Sequence, residues 1–275
     1  MGNPSQKGGK RENKYAFGYE RNVVDYLRFR AKRCADFVLP HLRPGIRLLD
    51  CGCGPGTITM ELAKAVAPGE VIGIDLEASQ IDIALQHARE LGITNLKFEV
   101  ADLLKLPYPD ESFDAVFIHA VLVHLAAPIV ALREIYRVLR SGGLTAVRDP
   151  IMDKAIFSPE DPILVESFEL IQQALKHYGG DGTIGHRLGP LLGEAGFEQV
   201  QLSASWEQPS SLDEWPQFYA GWSQVFSGTI ANIILEQGWV DKERLNQIVS
   251  AWRNFGEDKT GFAASPWVEA VGRKI

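Results

Sequence analysis

Three cysteines in 275 residues, at positions 34, 51 and 53, are too few and too oddly numbered for a disulfide framework. None shows the paired spacing of a metal site, so they read as reduced structural thiols and no metal is expected. No apolar run approaches the length of a membrane span, and the N-terminus lacks the apolar core of a secretion signal. The expectation is a cytoplasmic protein without a membrane partner. A myristoylation signal fails as well, because Gln6 stands where a hydroxyl residue is required. Positive charge is also in short supply. Twenty-eight Lys and Arg face 35 Asp and Glu, for a net charge of −7. The basic cluster Lys7, Lys10, Arg11 and Lys14 lies among Gly, Asn, Ser and Gln in a terminal tail. A nucleic-acid surface is therefore not expected, while a homo-oligomer stays open. Internal repeats are absent, and 45% hydrophobic residues suffice for one large α/β domain with a substantial cap.

Against these absences, residues 47–56 carry the strongest signal: an apolar strand, Asp50, then glycines at 52, 54 and 56. Glycine at alternate positions lets a ligand lie on main-chain N–H groups at the start of the next helix. A dinucleotide loop would read G-x-G-x-x-G and neutralise a pyrophosphate. Here the third glycine comes one residue early and a carboxylate precedes the first, which repels a pyrophosphate and suits an ammonium. S-adenosylmethionine, with its amino-acid end, has that ammonium. Two further strand-like runs, Glu70 to Glu77 and Leu96 to Asp102, also end in acids, Asp75 and Asp102. The first of these suits ribose hydroxyls and the second an adenine amino group. Strands near 47, 71, 96, 114 and 144 alternate with helical sequence, which predicts a parallel doubly wound sheet with ligands beyond the strand C-termini.

These motifs, with the run Phe113 to Val121 and the amphipathic Ala131 to Gly143, resemble the class I S-adenosylmethionine-dependent methyltransferases. The similarity is to their ubiquinone/menaquinone-biosynthesis-like small-molecule branch and is concentrated in residues 45–150. The resemblance implies a mostly parallel seven-stranded Rossmann-like sheet with a helical cap. It implies that Asp50, Gly52, Gly54 and Gly56 hold the methionine end of the cofactor, Asp75 beside Leu76 the ribose, and Asp102 with Leu103 the adenine. Gln80 would face adenine at a position often apolar in relatives, and His119 would shape the cofactor pocket. The N-terminal segment with Tyr15, Tyr19 and Arg30 would fold over the cofactor, Tyr19 touching it.

The expected organisation is a tail over 1–18, a lid helix over 19–44 and a cofactor-binding core over 45–150. Cap helices over 151–185 follow, and a C-terminal part of the core over 186–275. The lid helix has apolar positions at Val23, Val24, Leu27, Cys34 and Val38 and runs into Pro40. The last two strands, Glu198 to Trp206 and Gly261 to Arg273, are separated by helical sequence where a hairpin takes about 2 to 5 residues. That connection, about 209–258, reads as a helical insertion belonging to the cap. All six tryptophans lie from residue 206 onward, pointing to an aromatic wall for a moderately apolar small molecule.

Methyl transfer needs positioning more than covalent help, and a base only where the acceptor loses a proton. His124 is the candidate base, with Asp149 fixing its tautomer. The activity expected is transfer to an O, N or C atom of a small molecule of the secondary-metabolite kind, with a hydroxyl first and an electron-rich ring or alkene carbon second. The rival readings are an NAD-dependent oxidoreductase and a non-catalytic S-adenosylmethionine-binding protein. Methylation of nucleic-acid bases is disfavoured, since Ile118-His119-Ala120-Val121 lacks the Asn-Pro-Pro-aromatic motif that grips an amino group.

Overall fold

A computed structural model describes residues 15–18, 33–209, 211–258 and 260–275. Most of the predicted lid helix, with Tyr19, Val23, Val24, Leu27 and Arg30, lies outside them. Its described end, residues 33–38, is turn and leads into the 3-10 helix Leu39–His41, with Cys34 and Val38 buried.

The centre of the sheet is β1 (Leu48–Cys51), every residue of which is buried. It pairs in parallel with β2 (Val71–Asp75) on one side and β4 (Phe113–His119) on the other, Asp50 lying between Gly73 and Phe117. Unbroken apolar runs such as Leu48-Leu49 and Val116-Phe117-Ile118 are what a parallel sheet covered on both faces requires. Outside β2 lies β3 (Leu96–Val100), and outside β4 lies β5 (Leu139–Pro150). The last strand, β8 (Phe262–Arg273), runs antiparallel to β5, from Leu144 opposite Arg273 to Pro150 opposite Trp267. Along its other edge lies β7 (Glu198–Glu207). The strand order is thus 3-2-1-4-5-8, with β7 on β8. An eighth strand, β6 (Ile156–Ser158), pairs with Phe262–Ala264. Three residues are too few for a legible period, and sequence reading assigned this stretch to the following helix.

Helices α1 (Thr57–Val66), α2 (Ala78–Glu90) and α3 (Pro128–Val138) follow β1, β2 and β4. Chain order reverses at β1, so the connections on its two sides leave a crevice beyond the strand C-termini. Beyond β6 come α4 (Pro162–His177) and α5 (Leu188–Glu194). The β7–β8 connection holds α6 (Trp215–Val225), α7 (Thr229–Glu236) and α8 (Lys242–Glu257). Their aromatics form one stack with α4. Trp252 stacks on Trp222 at 5.4 Å and on Tyr219 at 6.2 Å, and Phe168 lies 5.0 Å from Trp222. Each polar edge finds a partner, as burial demands. The Trp252 indole donates to Ser167 Oγ at 3.1 Å, Trp215 to the Phe255 carbonyl at 3.2 Å, and the Tyr219 hydroxyl to the Ala263 carbonyl at 2.7 Å. Trp215 and Trp252 therefore pack helices and do not line the main cavity. Among the described residues no helix is long and apolar enough to cross a membrane.

Candidate active site

A cavity of about 260 Å³ opens beyond the C-terminal ends of β1, β2 and β4. Asp50, Gly52, Gly54, Asp75, Leu76, Gln80, Asp102, Leu103, His119 and His124 all line it, Gln80 from the first turn of α2 and the others from four strand ends and the segments that follow them. The loop after β1 is tied down by its own backbone, since the N–H groups of Gly52 and Cys53 both donate to the Ile74 carbonyl, at 2.8 and 2.9 Å.

The two later glycines of that loop have different reasons to be glycine. At Gly54 (φ 51°) a Cβ would meet nothing within 4 Å, so the backbone there is open to a ligand. At Gly56 (φ 78°) a Cβ would stand 2.7 Å from Phe98 and 2.9 Å from Ala84. Gly56, expected among the cofactor contacts, is where the start of α1 packs on β3 and α2.

The carboxylates differ in setting. Asp50 is 2% exposed and accepts the Thr59 hydroxyl at 2.7 Å. Burial, aided by the neighbouring charge of Asp75, pushes its pKa up to about 7 despite that bond. Asp75 accepts the Gly54 N–H at 2.9 Å and the Glu77 N–H at 3.0 Å, which fasten the glycine loop to the end of β2. Burial raises its pKa too, against those bonds. Asp102 is exposed and accepts the Leu104 N–H at 2.8 Å, turning its loop around the cavity rim. Gln80, 2% exposed, has a buried Nε2 with no hydrogen-bond partner. An amide left so in a cavity wall is a ready donor to a ligand, because an unmade buried hydrogen bond costs about 1 to 3 kcal/mol.

His124 stands against two rings of the described N-terminal piece, Tyr15 at 4.6 Å and Phe17 at 5.8 Å. Desolvation in this apolar setting lowers its pKa to about 3, which keeps the imidazole neutral, and its Nδ1 has no hydrogen-bond partner. The expected His124–Asp149 pair does not form. Asp149 is fully buried, does not line the cavity, and accepts the Val123 N–H at 3.1 Å together with that of Leu122. Its carboxylate, pushed up to about 7 by burial, holds the 3-10 turn Leu122–His124 in place and acts on the ring only through that turn.

Across the cavity lie groups that sequence reasoning did not single out: Phe17, Met152, Phe168, Glu207 and Ser265. Of the aromatic wall expected from the tryptophans, Trp222 and Trp267 are present. The His119 ring stacks on Trp267 at 5.1 Å and 29°, which joins the acidic and aromatic ends. The density of tryptophan in the last part of the chain was the one available signal for this wall. Tyr19 lies outside the described residues. Among the described residues no group of three His, Cys, Asp or Glu is placed to hold a metal.

A family model described as a methyltransferase domain matches residues 42–216. An uncharacterised methyltransferase of Schizosaccharomyces pombe is 28% identical over 90% of this chain and 91% of its own length. A demethylmenaquinone methyltransferase of Staphylococcus aureus is 32% identical over 67% of this chain and 82% of its own. Among solved structures, the Bacillus subtilis protein YcgJ superposes with a TM-score of 0.56 at 18% identity, over 92% of this chain and 98% of that one, and shares the fold. Fold, loop and family model agree: the chain belongs to the methyltransferase-domain family and is a class I S-adenosylmethionine-dependent methyltransferase.

Proposed function

We propose that the acid-lined end of the cavity holds S-adenosylmethionine and that its aromatic end holds a moderately apolar small molecule. The methyl group then passes to an O, N or C atom of that molecule. The observation that carries this reading is the continuity of one cavity from Asp50, Asp75 and Asp102 to Phe168, Trp222 and Trp267. The residues fit the cofactor. Asp50, strained toward its neutral form by burial, is relieved by an ammonium; the open face of Gly54 admits a close ligand. Asp75 beside Leu76 takes the ribose hydroxyls, and Asp102, Leu103 and the unpaired amide of Gln80 take the adenine. When bound, the cofactor supplies an activated sulfonium methyl group.

What the chain contributes is alignment and exclusion of water, and alignment can account for about 7 to 11 kcal/mol of a barrier. Residues 45–150 form the cofactor-binding part, while 151–185 and the helices of 209–258 cover the acceptor. His124, neutral among Tyr15 and Phe17, accepts a hydrogen bond from the acceptor and orients it. A base so weak gains little by removing a proton, since general bases work best with a pKa near the operating pH. A hydroxyl stays the first acceptor. Carbon methylation is the second reading, favoured by that low basicity. The protein would work in the cytoplasm on a small molecule of secondary metabolism. The net charge of −7 argues against nucleic acid.

Calorimetry with S-adenosylhomocysteine tests the cofactor end. Asp75→Ala removes two charge-assisted hydrogen bonds of about 1.5 to 3 kcal/mol each, so affinity is expected to fall at least tenfold. Wild-type affinity in that variant would sink the pocket assignment. Transfer of radiolabel from S-adenosylmethionine to components of a fractionated extract separates an enzyme from a mere binder.

A further inference from the structure

One row of the sheet carries polar side chains where apolar ones would fill the space. His119 of β4, Arg148 of β5, Glu269 of β8 and Ser203 of β7 stand in register on four adjacent strands. Residues in register share a face of the sheet, so the row runs from the cavity wall at His119 to the outer strand. Arg148 does not itself line the cavity. At 4% exposure it lies 3.5 Å from Glu269, which is 8% exposed and accepts the Ser203 hydroxyl at 2.8 Å. Arg148 Nη2 donates to Ser205 Oγ at 3.1 Å, and Nη1 to Cys34 Sγ at 3.6 Å. Among the described residues this is the one ion pair with both side chains buried.

A buried ion pair adds little stability, because apolar side chains of the same volume serve as well or better. Its use lies in orientation. The guanidinium carbon is 4.3 Å from the centroid of the Trp267 ring. That ring stacks on His119 and donates its indole N–H to Glu207 at 2.9 Å, so it spaces two parts of the cavity wall, one on β4 and one on β7. A planar guanidinium can face a ring while its N–H groups bond in its own plane, which an ammonium cannot do. Resting on the methyltransferase reading of this cavity, we infer that Arg148 is a positioning residue for methyl transfer. Held by Glu269 and Ser205, it fixes the plane of Trp267, and through Trp267 the spacing of the His119 and Glu207 walls. Alignment of cofactor and acceptor depends on that spacing, and a displacement of about 1 Å can cost about 100-fold in rate.

Arg148→Met alone would leave a buried Glu269 unpaired, so the test combines it with Glu269→Gln, which keeps the volume and an oxygen for Ser203. Arg148→Lys is its companion, keeping the charge and losing the planar face. In nitrogen-15 NMR spectra of the protein saturated with S-adenosylhomocysteine, the Trp267 indole N–H is assigned through Trp267→Phe. It should exchange with solvent at least about tenfold faster in both variants, and the His119 ring protons should lose their ring-current shift. Transfer from saturating radiolabelled S-adenosylmethionine into the fraction of extract that the wild type labels should slow about tenfold or more in both. Affinity for S-adenosylhomocysteine should change by less than about twofold, and the urea midpoint of the double variant should stay close to wild type. Unmoved ring signals, a rate that survives their movement, or a rate that falls together with cofactor affinity would each overturn the inference. A wild-type protein that labels no fraction would sink the methyltransferase reading and this inference with it, and that outcome is seen before any variant is made.

Discussion

The two ends of the cavity are built by opposite means. At the cofactor end, ligand-facing groups come from strand ends and the loops that follow, within residues 50–124, and backbone N–H groups fasten the acids that shape it. At the acceptor end, Met152, Phe168, Glu207, Trp222 and Trp267 come from five separate elements; β7 and β8 are paired, but the rings of α4 and α6 are brought in by side-chain packing. A polar site held by main-chain hydrogen bonds tolerates changes in distant side chains. An aromatic wall shares its rings with the hydrophobic core and does not. The acceptor end should therefore be the more fragile, and the cofactor end the more strictly tied to particular residues.

The sharpest way to break this contrast is Trp252→Ala. The ring is 1% exposed, stacked on Trp222 and Tyr219, and absent from the main cavity lining. Loss of a large buried ring is expected to lower unfolding free energy by about 3 to 5 kcal/mol, measured by urea denaturation. Binding of an acceptor should weaken through displacement of Trp222, while S-adenosylhomocysteine affinity under native conditions stays close to wild type. Loss of cofactor affinity instead would show that the two ends are not separately supported.

Next in size is a pair within the glycine loop. Gly56→Ala drives a methyl against Phe98 and Ala84 and should reduce stability by about 1 to 3 kcal/mol. Gly54→Ala meets no protein atom and should lose only the backbone strain of about 1 to 2 kcal/mol, yet weaken S-adenosylhomocysteine binding more than its partner does. Equal effects of the two on binding would erase the distinction between the packing and ligand-facing glycines.

A smaller effect lies in the pH dependence of the ligand-free protein. Asp50 and Asp149 have folded pKa values of about 7, raised above the ordinary carboxylate value by burial. The folded state then binds more protons than the unfolded state between about pH 4 and 7, so their contribution to stability falls as pH rises through that window. Above it the full penalty persists. Asp149→Asn keeps an oxygen for the Val123 N–H and should flatten the slope, read as the urea midpoint against pH. A midpoint that rises from pH 5 to 8 in both proteins would contradict the burial argument.

The smallest expected change is His124→Ala in single-turnover methyl transfer, once an acceptor is in hand. With its pKa lowered to about 3, the ring orients without removing a proton. A loss below about tenfold, with no new pH dependence between pH 6 and 9, is expected. A loss of about 100-fold or more that grows at acidic pH would restore the base role.

The strands β1, β2 and β3 were legible because each is a short run that leads to an acid, Asp50, Asp75 or Asp102. The short β6 was not, since three residues paired with β8 have no period of their own. Asp50, Asp75 and Asp102 could be read as neighbours because parallel strands end at one edge of the sheet, and residues at or just past those ends line the same cavity. The absence of a His124–Asp149 contact was invisible, since it turns on which backbone N–H groups the buried carboxylate meets. Sequence alone determined the sheet, its ligand edge and the kind of cofactor, all of which follow from local runs and spacings. Tertiary structure alone decided which aromatics became core and which became wall, that Gly56 packs while Gly54 faces the cavity, and that Glu207 lines the cavity. Those outcomes depend on distances between residues far apart in the chain, and close packing sets such distances without leaving a periodic trace.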